Sequence, residues 1–110
     1  MEESILNTIK KMLGIDEDYD VFDTDIIVNI NSTFMVLTQI GVGPKNGYSI
    51  SGASEQWSSF LGDETKFEAV KTYIYLKVKT VFDPPTSSSV LESINKTISE
   101  LEWRLNVNAE

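Results

Sequence analysis

Apolar residues recur along this chain at helical intervals in four stretches, separated by glycine, proline or acidic runs. Ile5, Leu6, Ile9, Met12 and Leu13 share one face at about 100° per residue, so residues 2–13 read as an amphipathic helix with Gly14 as its C-cap. Residues 24–40 carry a stripe of Ile26, Ile27, Ile30, Phe34 and Leu37, with Val28, Met35 and Val36 on the other side. A helix apolar nearly all round is buried in its domain or covered by a partner. Its β-branched content also suits a strand, but its length favours a helix, capped by Asp23 or Thr24. A short helix is expected over residues 54–61, capped by Ser54, carrying Trp57, Phe60 and Leu61 and stopped by Gly62.

Residues 65–82 open on Thr65-x-x-Glu68, a capping box. Phe67, Val70, Ile74, Val78 and Val81 then form a stripe, with Leu76 nearly opposite. From Thr72 to Phe82 the chain also alternates as a strand would, with Ile74, Leu76 and Val78 on one side and Lys77 and Lys79 on the other; helix is the favoured reading. Asp83-Pro84-Pro85 ends it, because neither proline can donate a backbone N–H. Residues 88–107 hold a second capping box, Ser89-x-x-Glu92, and the seam Leu91, Ile94, Ile98, Leu101 and Leu105. The pattern predicts an all-α fold: a small bundle of four main helices plus one short helix, in one domain over residues 1–110. The one long loop covers about residues 41–53, punctuated by Gly41, Gly43, Pro44, Asn46, Gly47 and Gly52.

Composition narrows the chemistry. Histidine and cysteine are absent, which removes the commonest general base, the commonest metal ligand, thiolate nucleophiles and disulfides. The net charge is −8. Residues 1–25 hold eight acids and two lysines, a net of −6, and residues 26–110 hold nine acids and seven bases, a net of −2. Gripping nucleic acid requires Lys and Arg against phosphates, so this balance argues against DNA binding. No apolar run approaches the ~18 residues that span a bilayer, and the start Met1-Glu2-Glu3 lacks a secretory leader's basic and apolar regions. Cytoplasmic synthesis without secretion or membrane insertion is expected.

Motifs that could carry catalysis or metal binding fail on inspection. Asp16, Asp18 and Asp20 fit the first ligand positions of a calcium loop, but Val21 and Ile27 stand where glycine and a bidentate glutamate are needed. Glu100 with Glu102, and Asp63 with Glu64, are paired carboxylates that no motif places. Gly41-x-Gly43 lacks the rest of a nucleotide fingerprint and reads as a helix end and a turn. No catalytic residue, metal site or cofactor is expected. Trp103 lies about 160° from the centre of the last helix's seam, given about 100° per residue, with Val107 on its face. It reads as an interface anchor, whereas Trp57 reads as core. Leu76 is a further interface candidate, and Tyr48 and Ile50 either dock a neighbour or fold back on their own domain.

Several strings resemble the small head–tail connector (head-completion, adaptor) proteins of tailed bacteriophages and prophages. They are Gln39 to Gly43, Trp57 to Leu61, Tyr73 to Lys79 running into Phe82-Asp83-Pro84-Pro85, and Glu100 to Leu105, with a serine-rich cap at Ser87-Ser88-Ser89. The resemblance runs from Leu13 to Leu105. It implies a helical fold, which makes residues 65–82 a helix, and a structural rather than enzymatic role. It further implies a ring of identical subunits, dodecameric when assembled, beneath the portal protein of a filled capsid. A tail-proximal connector or stopper protein would bind below, and DNA would pass through the channel without specific binding. The protein would be made in the bacterial host cytoplasm and reside in the virion at the head–tail interface. Ring contacts join two different faces of one chain, which suits helices apolar on more sides than one core consumes. The competing reading is a small acidic helical binding protein, an inhibitor or regulatory partner that meets a basic target through charge.

Overall fold

The computed structural model describes residues 4–44, 46–60, 67–82 and 84–109. It is all-α, with helices α1 (Ile5–Met12), α2 (Asp23–Gln39), α3 (Trp57–Phe60), α4 (Phe67–Phe82) and α5 (Ser88–Ala109). No strand occurs among the described residues; the nearest approach is an isolated antiparallel bridge between Ser4 and Gln56. The strand alternative for residues 72–82 is thereby decided for helix.

α4 is the central element, packed against α2, α5 and α1. The buried stripe of α2 is Ile26, Ile30, Phe34 and Leu37, and that of α4 is Val70, Tyr73, Ile74 and Val78. Ile5, Leu6 and Ile9 of α1 and Ile98 and Leu105 of α5 close the same cluster. α2 and α5 each run antiparallel to α4 and therefore parallel to each other. Phe22, just before α2, meets Phe82 at the end of α4 edge to face at 5.2 Å. Tyr73 of α4 donates its phenolic hydrogen to Glu102 of α5 at 2.6 Å. Asn106 donates its amide to the Ile40 carbonyl beyond α2 at 3.2 Å.

The helix stops at Gly14 and Gly41 are Schellman motifs. Ile15 N–H reaches Lys10 O at 2.8 Å and Gly14 N–H reaches Lys11 O at 3.1 Å. The same pattern recurs after α2, from Val42 to Leu37 at 2.8 Å and from Gly41 to Thr38 at 3.1 Å. Such motifs satisfy the orphan carbonyls of the last turn and require a left-handed residue, which Gly14 (φ +80°) and Gly41 (φ +89°) supply.

Helix starts depart from expectation. α2 begins at Asp23, preceded by Phe22 with no side-chain cap, so neither Asp23 nor Thr24 serves as cap. The Asp23 carboxylate instead lies 2.8 Å from Lys10 Nζ, whose side chain is only 1% exposed and donates to the Glu17 carbonyl at 3.0 Å. A lone buried ammonium would be costly, and this pairing ties the acidic connector, residues 15–25 leading from α1 into α2, back onto α1. α3 is a single turn from Trp57, so Ser54 does not cap it; the preceding backbone is engaged elsewhere, with Ser51 and Gly52 N–H bound to the Glu55 carboxylate and the Glu55 carbonyl bound to Ile5 N–H. α5 starts at Ser88, and Ser87, not Ser89, caps it: its Oγ accepts from Val90 N–H at 3.4 Å. Thr65, Gly62 and the paired Asp63 and Glu64 lie outside the described residues.

Candidate assembly surfaces

The long loop is held by side chains from the helices around it. The Asn31 amide of α2 pairs with the Ile50 backbone as a strand would, accepting from its N–H at 2.8 Å and donating to its carbonyl at 3.0 Å. This fixes the alternatives left open for the loop. Ile50 folds back and joins its own core. Tyr48 is half-buried, its ring packed edge-on to Phe34 at 5.2 Å and near Phe60 at 5.5 Å. Burial pushes its phenol above the usual range. Gly43 (φ +87°) passes so close to Phe60 that a Cβ there would sit 2.4 Å from the ring. Pro44 accepts from Gly47 N–H at 3.0 Å, closing the turn that Asn46-Gly47 predicts.

The two tryptophans part as expected from pattern. Trp57 is buried and donates its indole N–H to Thr8 at 3.0 Å, while Lys71 stands 5.7 Å above its ring. Trp103 is 67% exposed and Val107, one turn on, 48% exposed; together they make an apolar edge on the outer side of α5. Beside them Arg104 pairs with Glu100 at 2.6 Å. The opposite face of the helix carries the seam, but only Ile98 and Leu105 are buried. Leu91, Ile94 and Leu101 are half-buried. Leu76 of α4 is also half-buried, lining a shallow groove with Val90 and Ile94 of α5. Pro84 and Pro85 sit in the turn between α4 and α5.

A second apolar surface was not singled out by pattern. Phe22, Val28, Val81 and Phe82 line a groove between the start of α2 and the end of α4, together with Asp25 and Asn29. Val28 is 57% and Val81 68% exposed. Val81 was expected in the buried stripe of α4, but at the helix end the contact passes to Phe82, which meets Phe22. Tyr19 extends the cluster, 5.8 Å from Phe22. The off-stripe position of Val28 and the two aromatics within an acidic run were the available signals. Met35 is a further exposed apolar side chain, beside the loop groove that Asn31, Tyr48 and Ser49 line.

A polar contact links α4 to α5. Burial and the neighbouring Glu102 carboxylate push the Tyr73 phenol far above its usual range, so it stays a hydrogen donor joining α4 to α5. Among the described residues no group of three or more acidic, histidine or cysteine side chains is arranged to hold a metal ion, and no helix is long and apolar enough to cross a membrane.

Compared with known proteins, residues 5–110 match the family described as phage connector protein. No curated protein and no solved structure matches the chain.

Proposed function

Because the chain belongs to the phage connector protein family, we propose that it is a head-completion adaptor, a ring beneath the portal that joins the DNA-filled capsid to the tail. In this reading residues 1–110 act as one connector domain with a structural task and no catalytic one. Its partners are further copies of itself, the portal protein above and a tail-proximal connector or stopper below, and its place is the head–tail interface of the virion.

The observation that carries the ring is the presence of separate apolar surfaces on different faces of one small bundle: the Trp103–Val107 edge and the Phe22–Val81 groove. Large exposed apolar groups that the domain's own core does not use are characteristic of interaction sites. A closed ring requires two different, complementary faces. Leu76 and Tyr48, half-buried beside open grooves, are proposed as secondary contacts. Passage of DNA without capture follows from the charge: the net is −8, and exposed Asp16, Glu17, Asp18 and Asp20 repel phosphates.

The same exposed acidic run favours the second reading, an acidic protein that caps a basic target. Size-exclusion chromatography with light scattering separates the two. A portal-bound assembly supports the adaptor, whereas a tight one-to-one complex with a basic protein supports the alternative.

A further inference from the structure

We propose that the Trp103–Val107 edge of one copy docks into the groove formed by Phe22, Val28, Val81 and Phe82 of the next, so that copies join head to tail. This rests on the connector reading and names the two faces of its self-contact. α4 packs against both other long helices. The groove lies between α2 and α4, while the edge lies on the outer side of α5. The surfaces also sit at different levels. Glu102, next to Trp103, is level with Tyr73, and Val81 lies eight residues beyond Tyr73, roughly 12 Å along the helix at ~1.5 Å per residue. An edge on α5 that seats in a groove between α2 and α4 pairs two different faces of the chain, and a contact of that heterologous kind propagates from copy to copy.

A second copy is the occupant that accounts for both surfaces together. In a closed ring every subunit covers one neighbour's groove and has its own covered by another, whereas a partner bound at one surface leaves the other in water. Charge agrees. Arg104, adjacent to Trp103, is exposed and gives one guanidinium nitrogen to Glu100. A guanidinium has five N–H donors, so further donors remain for a carboxylate across the contact, and exposed Asp25 lines the groove. The acidic connector beside the groove disfavours an acidic partner or nucleic acid there.

The chain contains no cysteine, so single engineered thiols report the pairing cleanly. Val28→Cys and Val107→Cys alter exposed positions. Mixed one to one and oxidised at high protein concentration, they should yield mixed disulfide dimers severalfold above either same-variant dimer. The double variant should yield a ladder of multimers, and adding Trp103→Ala to the Val107→Cys chain should remove the excess. Predominance of Val107→Cys homodimers, or a mixed yield no higher than with a thiol at exposed Asn95, overturns the pairing. The same samples, viewed with portal rings by electron microscopy, separate the two failures. Rings that assemble without the mixed disulfide refute this pairing alone, and absence of both disulfide and assembly refutes the connector reading as well.

Discussion

Replacing Gly43 with alanine tests how tightly the long loop is fixed to the core. Two costs combine. The backbone stands at φ +87°, where a side chain clashes with its own carbonyl by about 1–2 kcal/mol; the stiffer unfolded chain returns about 0.4–1 kcal/mol of that. The new methyl would also lie 2.4 Å from Phe60 Cε1 and 2.9 Å from Cζ. Phe60 cannot swing away freely, because its ring is buried 4.6 Å from Phe34 and 5.5 Å from Tyr48. Overpacking of that kind costs about 1–3 kcal/mol, giving roughly 2–4 kcal/mol in all. Gly47→Ala is the control. Its φ is +88°, but the nearest atom to a Cβ is Thr38 Oγ1 at 3.8 Å, an ordinary contact, so only the backbone cost of about 1 kcal/mol remains. Urea melts of the two variants should differ by about 1–3 kcal/mol, and their Tm values by roughly 4–12 °C for a domain of this size. Equal destabilisation would refute the reasoning, since it would mean that Phe60 does not press on Gly43.

Trp103→Ala should change the stability of the isolated chain by no more than about 0.5 kcal/mol, as at an ordinary surface site, because alanine's better helix propensity offsets lost contact along α5; Leu105→Ala, in the core at 2% exposure, should cost about 2–5 kcal/mol in the same melts. Leu101 is the weaker core probe, since it is only half-buried. Tyr73→Phe should lose about 1 kcal/mol with the hydrogen bond to Glu102, and in absorbance titration it should remove the tyrosine of the wild type that resists ionisation furthest above the ordinary range. Hydrogen bonds from Ser51 and Gly52 hold the Glu55 carboxyl below its usual pKa, so the folded loop favours the ionised form; its contribution is present at neutral pH and is lost as pH falls through that lowered pKa. Amide exchange at Ser51 and Gly52 should therefore quicken on acidification relative to the intrinsic rate, and Glu55→Gln should remove that dependence.

The helices were legible because their signals are local. The seam of α5, the buried stripe of α2 and both glycine stops depend on residues three to five apart. Starts were less legible, because serine caps compete. Ser87, Ser88 and Ser89 offer equal chemistry, and in the fold it is the Ser87 hydroxyl that accepts from Val90 N–H. Asp23 and Thr24 looked like caps, yet a lysine thirteen residues earlier recruits the aspartate for an ion pair. The exposed edge at Trp103 and Val107 could be read from helical phase alone. The Phe22–Val81 groove could not, because it joins the start of α2 to the end of α4, and nothing within either segment says that the two ends meet. Ile50 illustrates the same limit: its backbone is paired with the Asn31 amide nineteen residues away.

The central claim is that this phage connector protein builds a ring on a portal. Its most direct test is electron microscopy of purified portal rings from the same phage mixed with the full chain, wild type and Trp103→Ala in parallel. The wild type should add a ring of density to the tail-side face of the portal, and Trp103→Ala, though equally folded by its melt, should add markedly less. Portal rings left bare by the wild-type protein, at concentrations where it is folded, would contradict the account.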